Sequence, residues 1–120
     1  MTKEDSSRKL AVVCAREAYA MRGDSIVVYD LRGLSDVADY FVIACGTNRR
    51  QLKAMANGIE EASAGAGERA IGVEGLDVGN WILLDFGDVV VHLFLKEVRE
   101  YYGLDMLWGD APVVKWEDDM

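Results

Sequence analysis

Tyr40-Phe41-Val42-Ile43-Ala44, then Gly46-Thr47-Asn48, then Leu52, Met55, Ala56, Ile59 and Ala62 form the stretch on which the fold turns. The first five residues are apolar at both parities, as a strand covered on both faces requires. Gly46-Thr47-Asn48 breaks the run. The apolar positions that follow step by three and four, so a helix starts there, with Thr47 or Asn48 as its N-cap and Gly65 near its end. Strand, tight turn and helix in immediate succession open a β-α-β crossover and point to an α/β domain.

Upstream, Leu10, Val13, Cys14, Ala18 and Met21 recur at helical spacing over residues 6–22, and Gly23 stands at the C-cap. Ile26-Val27-Val28-Tyr29 reads as a buried strand, and the loop Arg32-Gly33-Leu34-Ser35-Asp36 carries the chain to the stretch above. Downstream, residues 63–80 are rich in glycine, with Ile71-Gly72-Val73 as a candidate edge strand. Trp81-Ile82-Leu83-Leu84-Asp85-Phe86 and Val89-Val90-Val91-His92-Leu93-Phe94 flank Gly87-Asp88 and predict a hairpin. Glu97-Val98-Arg99-Glu100-Tyr101-Tyr102, continued by Leu104, Leu107 and Trp108, predicts a C-terminal helix. Pro112 ends regular structure, and Glu117-Asp118-Asp119 is an acidic tail. The element order αββαβββα makes a single five-stranded mixed sheet flanked by helices. The second strand, second helix and next strand are expected to form a parallel, right-handed crossover, and the hairpin supplies antiparallel pairing. One domain over 1–108 with an acidic extension over 109–120 is the expected organisation.

The chain has 120 residues, of which 51% are apolar and 28% charged, enough for a hydrophobic core without staples. Its 13 basic and 21 acidic residues leave a net charge of −8. Direct nucleic-acid binding is disfavoured by that balance, and a basic protein partner is suited to it. Cys14 and Cys45 lie in apolar runs without metal-ligand spacing and read as buried small hydrophobes in a reducing compartment. The first residues lead into no secretory apolar run, and the apolar runs 81–84 and 89–95 are far short of the roughly 20 residues that cross a bilayer. A soluble, cytoplasmic protein without membrane association is the expectation.

Asp85-Phe86-Gly87 matches the magnesium-binding loop of protein kinases in letters only, because the Gly-rich loop, strand lysine and His-Arg-Asp loop of that chemistry have no counterpart here. Gly65, Gly67 and Gly72 lack the Gly-Lys-Ser/Thr sequel of a phosphate loop, and no cofactor is expected. The lone histidine, His92, shares a strand face with Val90 and Phe94 and has no second ligand for a metal. A small nucleotide-binding or nucleotidyltransferase-like enzyme is the alternative reading. It would need carboxylates at i, i+2 on one strand face, whereas Asp36 and Asp39, like Asp85 and Asp88, stand at i, i+3 across a loop or turn. Trp81, at a strand start beside flexible glycines, fits a core or an interface anchor equally.

In order along the chain, Ala38-Asp39-Tyr40-Phe41-Val42-Ile43-Ala44, Gly46-Thr47-Asn48-Arg49-Arg50-Gln51, Val73-Glu74-Gly75, the run from Trp81 through Gly87-Asp88-Val89-Val90-Val91-His92, and Arg99-Glu100-Tyr101-Tyr102-Gly103-Leu104-Asp105-Met106-Leu107-Trp108 resemble the ribosomal silencing factor family, also called Iojap-like. The resemblance runs from about Leu10 to Trp108. Cys45, in place of a small polar residue, and Leu104-Asp105, in place of Leu-Glu, are mild departures. It implies a small mixed α/β domain, distantly like nucleotidyltransferases but non-enzymatic, without catalytic residues, metal or cofactor. It further implies binding to the large ribosomal subunit through ribosomal protein fourteen, a steric block on subunit joining that represses translation under starvation or in stationary phase, and a homodimer when free. Matched positions make Trp81 the expected anchor, with Glu74, Asp85 and Asp88 meeting basic side chains. His92, Arg99 and Tyr102 match as well, as contacts or as supports of the sheet.

Overall fold

A computed structural model describes residues 3–102 and 109–117, with side chains over 6–100 and 109–117. The elements are α1 (Lys3–Ala20), β1 (Asp24–Asp30), β2 (Tyr40–Gly46), α2 (Arg49–Gly65), β3 (Gly72–Glu74), β4 (Trp81–Asp85), β5 (Val89–Leu95) and α3 (Lys96–Tyr102). This is the order expected from the sequence, and the strands form one mixed sheet in the order β1-β2-β5-β4-β3. The expected continuation of the last helix over 103–108, with Leu104, Leu107 and Trp108, lies outside the described residues.

The crossover differs from the sequence reading in its partner. β2 pairs in parallel with β5, not with β3, while β1 with β2, β4 with β5 and β3 with β4 are antiparallel. Burial explains the choice. A central parallel strand must be apolar on both faces, and every residue of β2 and β5 is buried, whereas β3 has three residues and is exposed along most of its length. β3 therefore takes the edge expected of it, but at the far side of the hairpin.

Parity divides the core. Tyr40, Val42 and Ala44, with Val89, Val91 and Leu93, pack against Leu10, Cys14 and Ala18 of α1 and Leu52, Met55 and Ile59 of α2. Phe41, Ile43 and Cys45, with Val90 and Phe94, form a second cluster on the opposite face, against which Val98 of α3 packs. Cys14 and Cys45 are both buried thiols, and neither is in a disulfide. Desolvation pushes the Cys14 thiol up to about 12, so it stays neutral, as a small core residue should.

Local chemistry sets the element ends. At α2 the N-cap is Asn48, whose Oδ1 accepts from the Gln51 amide at 2.8 Å. Gln51 in turn accepts from the Thr47 amide through Oε1 at 2.7 Å and donates through Nε2 to the Arg22 carbonyl at 2.9 Å, which ties the start of α2 to the end of α1. α1 closes in a Schellman motif: Arg22 N donates to Tyr19 O and Gly23 N to Ala18 O. Arg22, at φ 66°, takes the left-handed position. Gly23 serves for clearance, because a Cβ there would lie 2.7 Å from the Ala18 oxygen. The β4-β5 hairpin turns on Gly87-Asp88, where Phe86 N donates to Val89 O at 2.9 Å.

Residues 109–117, set apart as an extension in the sequence reading, run along the outer edge of β1. Asp30 N donates to Pro112 O and Val114 N to Val28 O, each at 2.8 Å, with a bridge between Tyr29 and Val113. An edge strand left open is a template for non-native pairing, and this segment closes it. Ala111, Val114 and Trp116 are buried, and Glu117 is exposed. The Trp116 indole donates to the Ile26 carbonyl at 3.3 Å, its own carbonyl accepts from Arg16 Nε at 2.9 Å, and its ring lies 5.7 Å from that of Tyr19. Trp116→Ala is expected to lower the unfolding free energy by about 3 kcal/mol, the usual loss for a buried aromatic, while Lys115→Ala on the exposed side of the same segment changes it by less than about 0.5 kcal/mol. Urea titrations of the two variants check this, and equal midpoints would show that the segment does not share in the core.

Candidate functional site

Because successive residues of a strand face opposite sides, Trp81, Leu83 and Asp85 of β4 project away from the face that α1 and α2 cover. Register sets Trp81 beside Phe94, Leu83 beside His92 and Asp85 beside Val90 of β5, and sets Glu74 of β3 beside Leu83. Four of the residues singled out from the sequence, Glu74, Trp81, Asp85 and His92, thus share one face of one half of the sheet. The other three are placed differently. Asp88 lies in the hairpin turn, where its carboxylate accepts from the Ser7 hydroxyl of α1 at 3.4 Å, on the helix-covered side. Arg99 is buried at the other half of the face; its guanidinium donates to the Ser25 carbonyl of β1 and reaches Cys45 Sγ of β2 at 3.3 Å. It fastens α3 across the sheet. Tyr102 ends α3, and its side chain lies outside the described residues.

Trp81 is 39% exposed, an intermediate between the core and interface readings. Its ring packs 4.8 Å from that of Phe94, and its Nε1 donates to His92 Nδ1 at 3.2 Å. The loop before it is built for close approach: Gly75, at φ 86°, would put a Cβ 2.0 Å from the Trp81 carbonyl oxygen. Asn80 anchors the end of that loop, accepting from Leu95 N through its carbonyl at 3.0 Å and from Arg49 Nε through Oδ1 at 2.8 Å.

Sequence reasoning missed the exposed aliphatics at this edge of the sheet, which are not all on the Trp81 face, since Val73 pairs with Leu84 and points to the helix-covered side. Ile71, Val73, Leu76 and Val78, along β3 and the loop that follows, are all exposed, Ile71 to 76%. The available signal was several large aliphatics in a glycine-rich stretch with no period to bury them. Glu74 and Asp77 lie in the same stretch of chain, and Asp85 lies on the neighbouring β4. Asp85 is partly engaged, accepting from Gly87 N at 2.8 Å. With Asp88 turned toward α1, these two carboxylates do not converge on one face. Among the described residues no three His, Cys, Asp or Glu side chains gather as metal ligands, and no helix is long and apolar enough to cross a membrane.

His92 is 6% exposed, with Phe41 edge-on at 4.8 Å and Phe94 stacked at 5.9 Å. Burial lowers its pKa from 6.5 to about 4, so the ring is neutral near pH 7. With Nδ1 accepting from Trp81, the proton sits on Nε2. A histidine with a depressed folded pKa makes the unfolded chain the better proton binder between the two values, so stability falls as pH drops from 6.5 toward 4. Between pH 7 and pH 5 this loss is about 2 kcal/mol. Urea unfolding at the two pH values checks it: the wild type should lose that amount more than His92→Asn, and parallel losses would place the proton uptake elsewhere.

Comparison with known proteins accords with this geometry. A family model described as ribosomal silencing factor during starvation matches residues 4–120, a range that takes in the segment packed on β1. The ribosomal silencing factor of Bacillus subtilis is 39% identical over 108 residues, covering 90% of this chain and 92% of that protein. Its counterpart in Halalkalibacterium halodurans is 35% identical over 112 residues, covering 93% and 96%. A crystal structure of a Chromobacterium violaceum protein has a TM-score of 0.80 at 35% identity, covering 90% of this chain and 88% of that one. With a match along its length, relatives covered nearly end to end and a shared fold, the chain belongs to the ribosomal silencing factor family.

Proposed function

We propose that this protein is a non-enzymatic repressor of translation that docks on the large ribosomal subunit through ribosomal protein fourteen and blocks subunit joining under starvation or in stationary phase. The observation that carries the reading is the half-exposed Trp81 ring, held on the same sheet face as the carboxylates of Glu74 and Asp85. Aromatic anchors ringed by polar groups are where binding energy concentrates at protein interfaces. Ribosomal proteins are basic, and a chain of net charge −8 is steered toward them. Trp81, Glu74 and Asp85 make the contact, and Asp88, in the hairpin turn on the helix-covered side, meets basic side chains only from the rim. His92 and Arg99 act from beneath, the first under Trp81 and the second under α3. Tyr102, which ends α3, is a further proposed contact. The protein works in the cytoplasm and is a homodimer when free.

Sedimentation with purified ribosomal particles tests this. The protein should travel with isolated large subunits and not with joined ribosomes, and preincubation should lower the yield of joined particles when small subunits are added. Trp81→Ala should weaken binding by about 30-fold or more, the equivalent of roughly 2 kcal/mol at an interface anchor. Failure of the wild type to sediment with large subunits at both low and moderate salt would overturn the proposal.

A further inference from the structure

His92 occupies an unusual place for the lone histidine of the chain. It sits in the middle of β5, a strand buried along its whole length, among Phe41, Phe94 and Trp81. A leucine or valine would fill such a position without the desolvation that burying an imidazole entails. The direct return visible in the structure is the bond from the Trp81 indole to Nδ1.

That bond decides which part of Trp81 a partner meets. An indole has one polar atom, and it only donates. With the N–H turned into the sheet toward His92 and the ring resting on Phe94, the exposed part of Trp81 is carbon and π-face. The bond to His92 and the packing on Phe94 also restrain the ring's orientation, which reduces the side-chain entropy lost on docking.

We propose that His92 is a positioning residue for the docking face: it takes the indole N–H of Trp81 inward so that the ring is presented in one orientation, and the partner side chain that meets Trp81 is aliphatic or cationic, not a hydrogen-bond acceptor. This rests on the reading of Trp81 as the anchor on the large subunit. A π-face beside carboxylates suits the stem and head of an arginine or lysine, which pack and pair at once.

A double-mutant cycle between the two residues, read both in the free protein and on large subunits, tests the proposal. In the ¹⁵N-labelled free protein, the indole resonance of Trp81, identified by its loss in Trp81→Phe, should exchange slowly with solvent in the wild type and in His92→Asn, whose amide oxygen can stand near the Nδ1 position. It should exchange faster in His92→Leu. On large subunits, His92→Leu should weaken binding by up to about tenfold, the range for releasing one immobilised side chain, and His92→Asn should restore most of it. Trp81→Phe should keep most of the affinity that Trp81→Ala loses, since the ring and not the N–H is used, and His92→Leu in the Trp81→Phe background should add little. Unchanged indole exchange in His92→Leu would overturn the proposal. So would an equal loss from His92→Leu in both backgrounds, which would make His92 a contact in its own right, or a Trp81→Phe variant as weak as Trp81→Ala. If His92→Leu does not fold, His92→Asn and Trp81→Phe carry the same decision. Should the wild type fail to bind large subunits, the docking proposal falls, while indole exchange in the free protein still decides the role of His92.

Discussion

Everything in this molecule is arranged around one pairing, the parallel register of β2 with β5, in which each of fourteen residues is buried. Two strands hidden on both faces cannot lie at an edge, so the sheet must grow outward from them. β1 extends it on one side and the hairpin partner β4, followed by β3, on the other. Both faces then need covers. α1 and α2 take one, and α3 takes part of the other, fastened by Arg99 to Ser25 and Cys45. Among the described residues, the part of that second face without a helix over it is the half built from β4 and β3, and it is there that Trp81 emerges.

Burial at both parities is a pattern that sequence can show, which is why β2, β5, the Gly87-Asp88 hairpin and the helix capped by Asn48 were all legible. Pairing is a different kind of fact. Periodicity reports how a strand is covered and says little about what lies beside it, so Ile71-Gly72-Val73 was joined to β2 when β5 was the partner. The edge segment was harder still. Val114 and Trp116 give a single i, i+2 step after Pro112, too short to read as a strand, and their burial depends on the Val28, Asp30 and Ile26 backbone groups that receive the segment. A left-handed Arg22 was likewise hidden behind Gly23, since the neighbouring glycine satisfies the usual sequence signal for the same turn.

For the docking face, the hairpin register brings Trp81, Asp85 and His92 to one side and the register of β3 adds Glu74, a grouping that depends on pairing and was not read from the sequence. Arg99 ran against the ordinary expectation that a charged helical residue is solvated. Its long stem crosses the sheet face to a carbonyl and a sulfur that no spacing rule connects to it. Asp88 is off the face because it stands three residues past Asp85, at the opposite parity of β4, and its carboxylate accepts from Ser7 in the first turns of α1.

The shortness of β3 is what leaves Trp81 open. Pairing between β3 and β4 stops at Glu74 with Leu83, two residues short of the point where the register would bring Leu76 alongside Trp81. The chain instead turns at Gly75, which lets its backbone close on the Trp81 carbonyl without a side chain in the way. A longer β3 would have extended the sheet and buried the indole between two strands, as Phe94 is buried on the other side. A three-residue edge stops short of that while still holding the Trp81 strand in register from the β5 side. The segment hardest to read from the sequence, glycine-rich and without period, is therefore the one whose brevity turns a core-type tryptophan into a surface one.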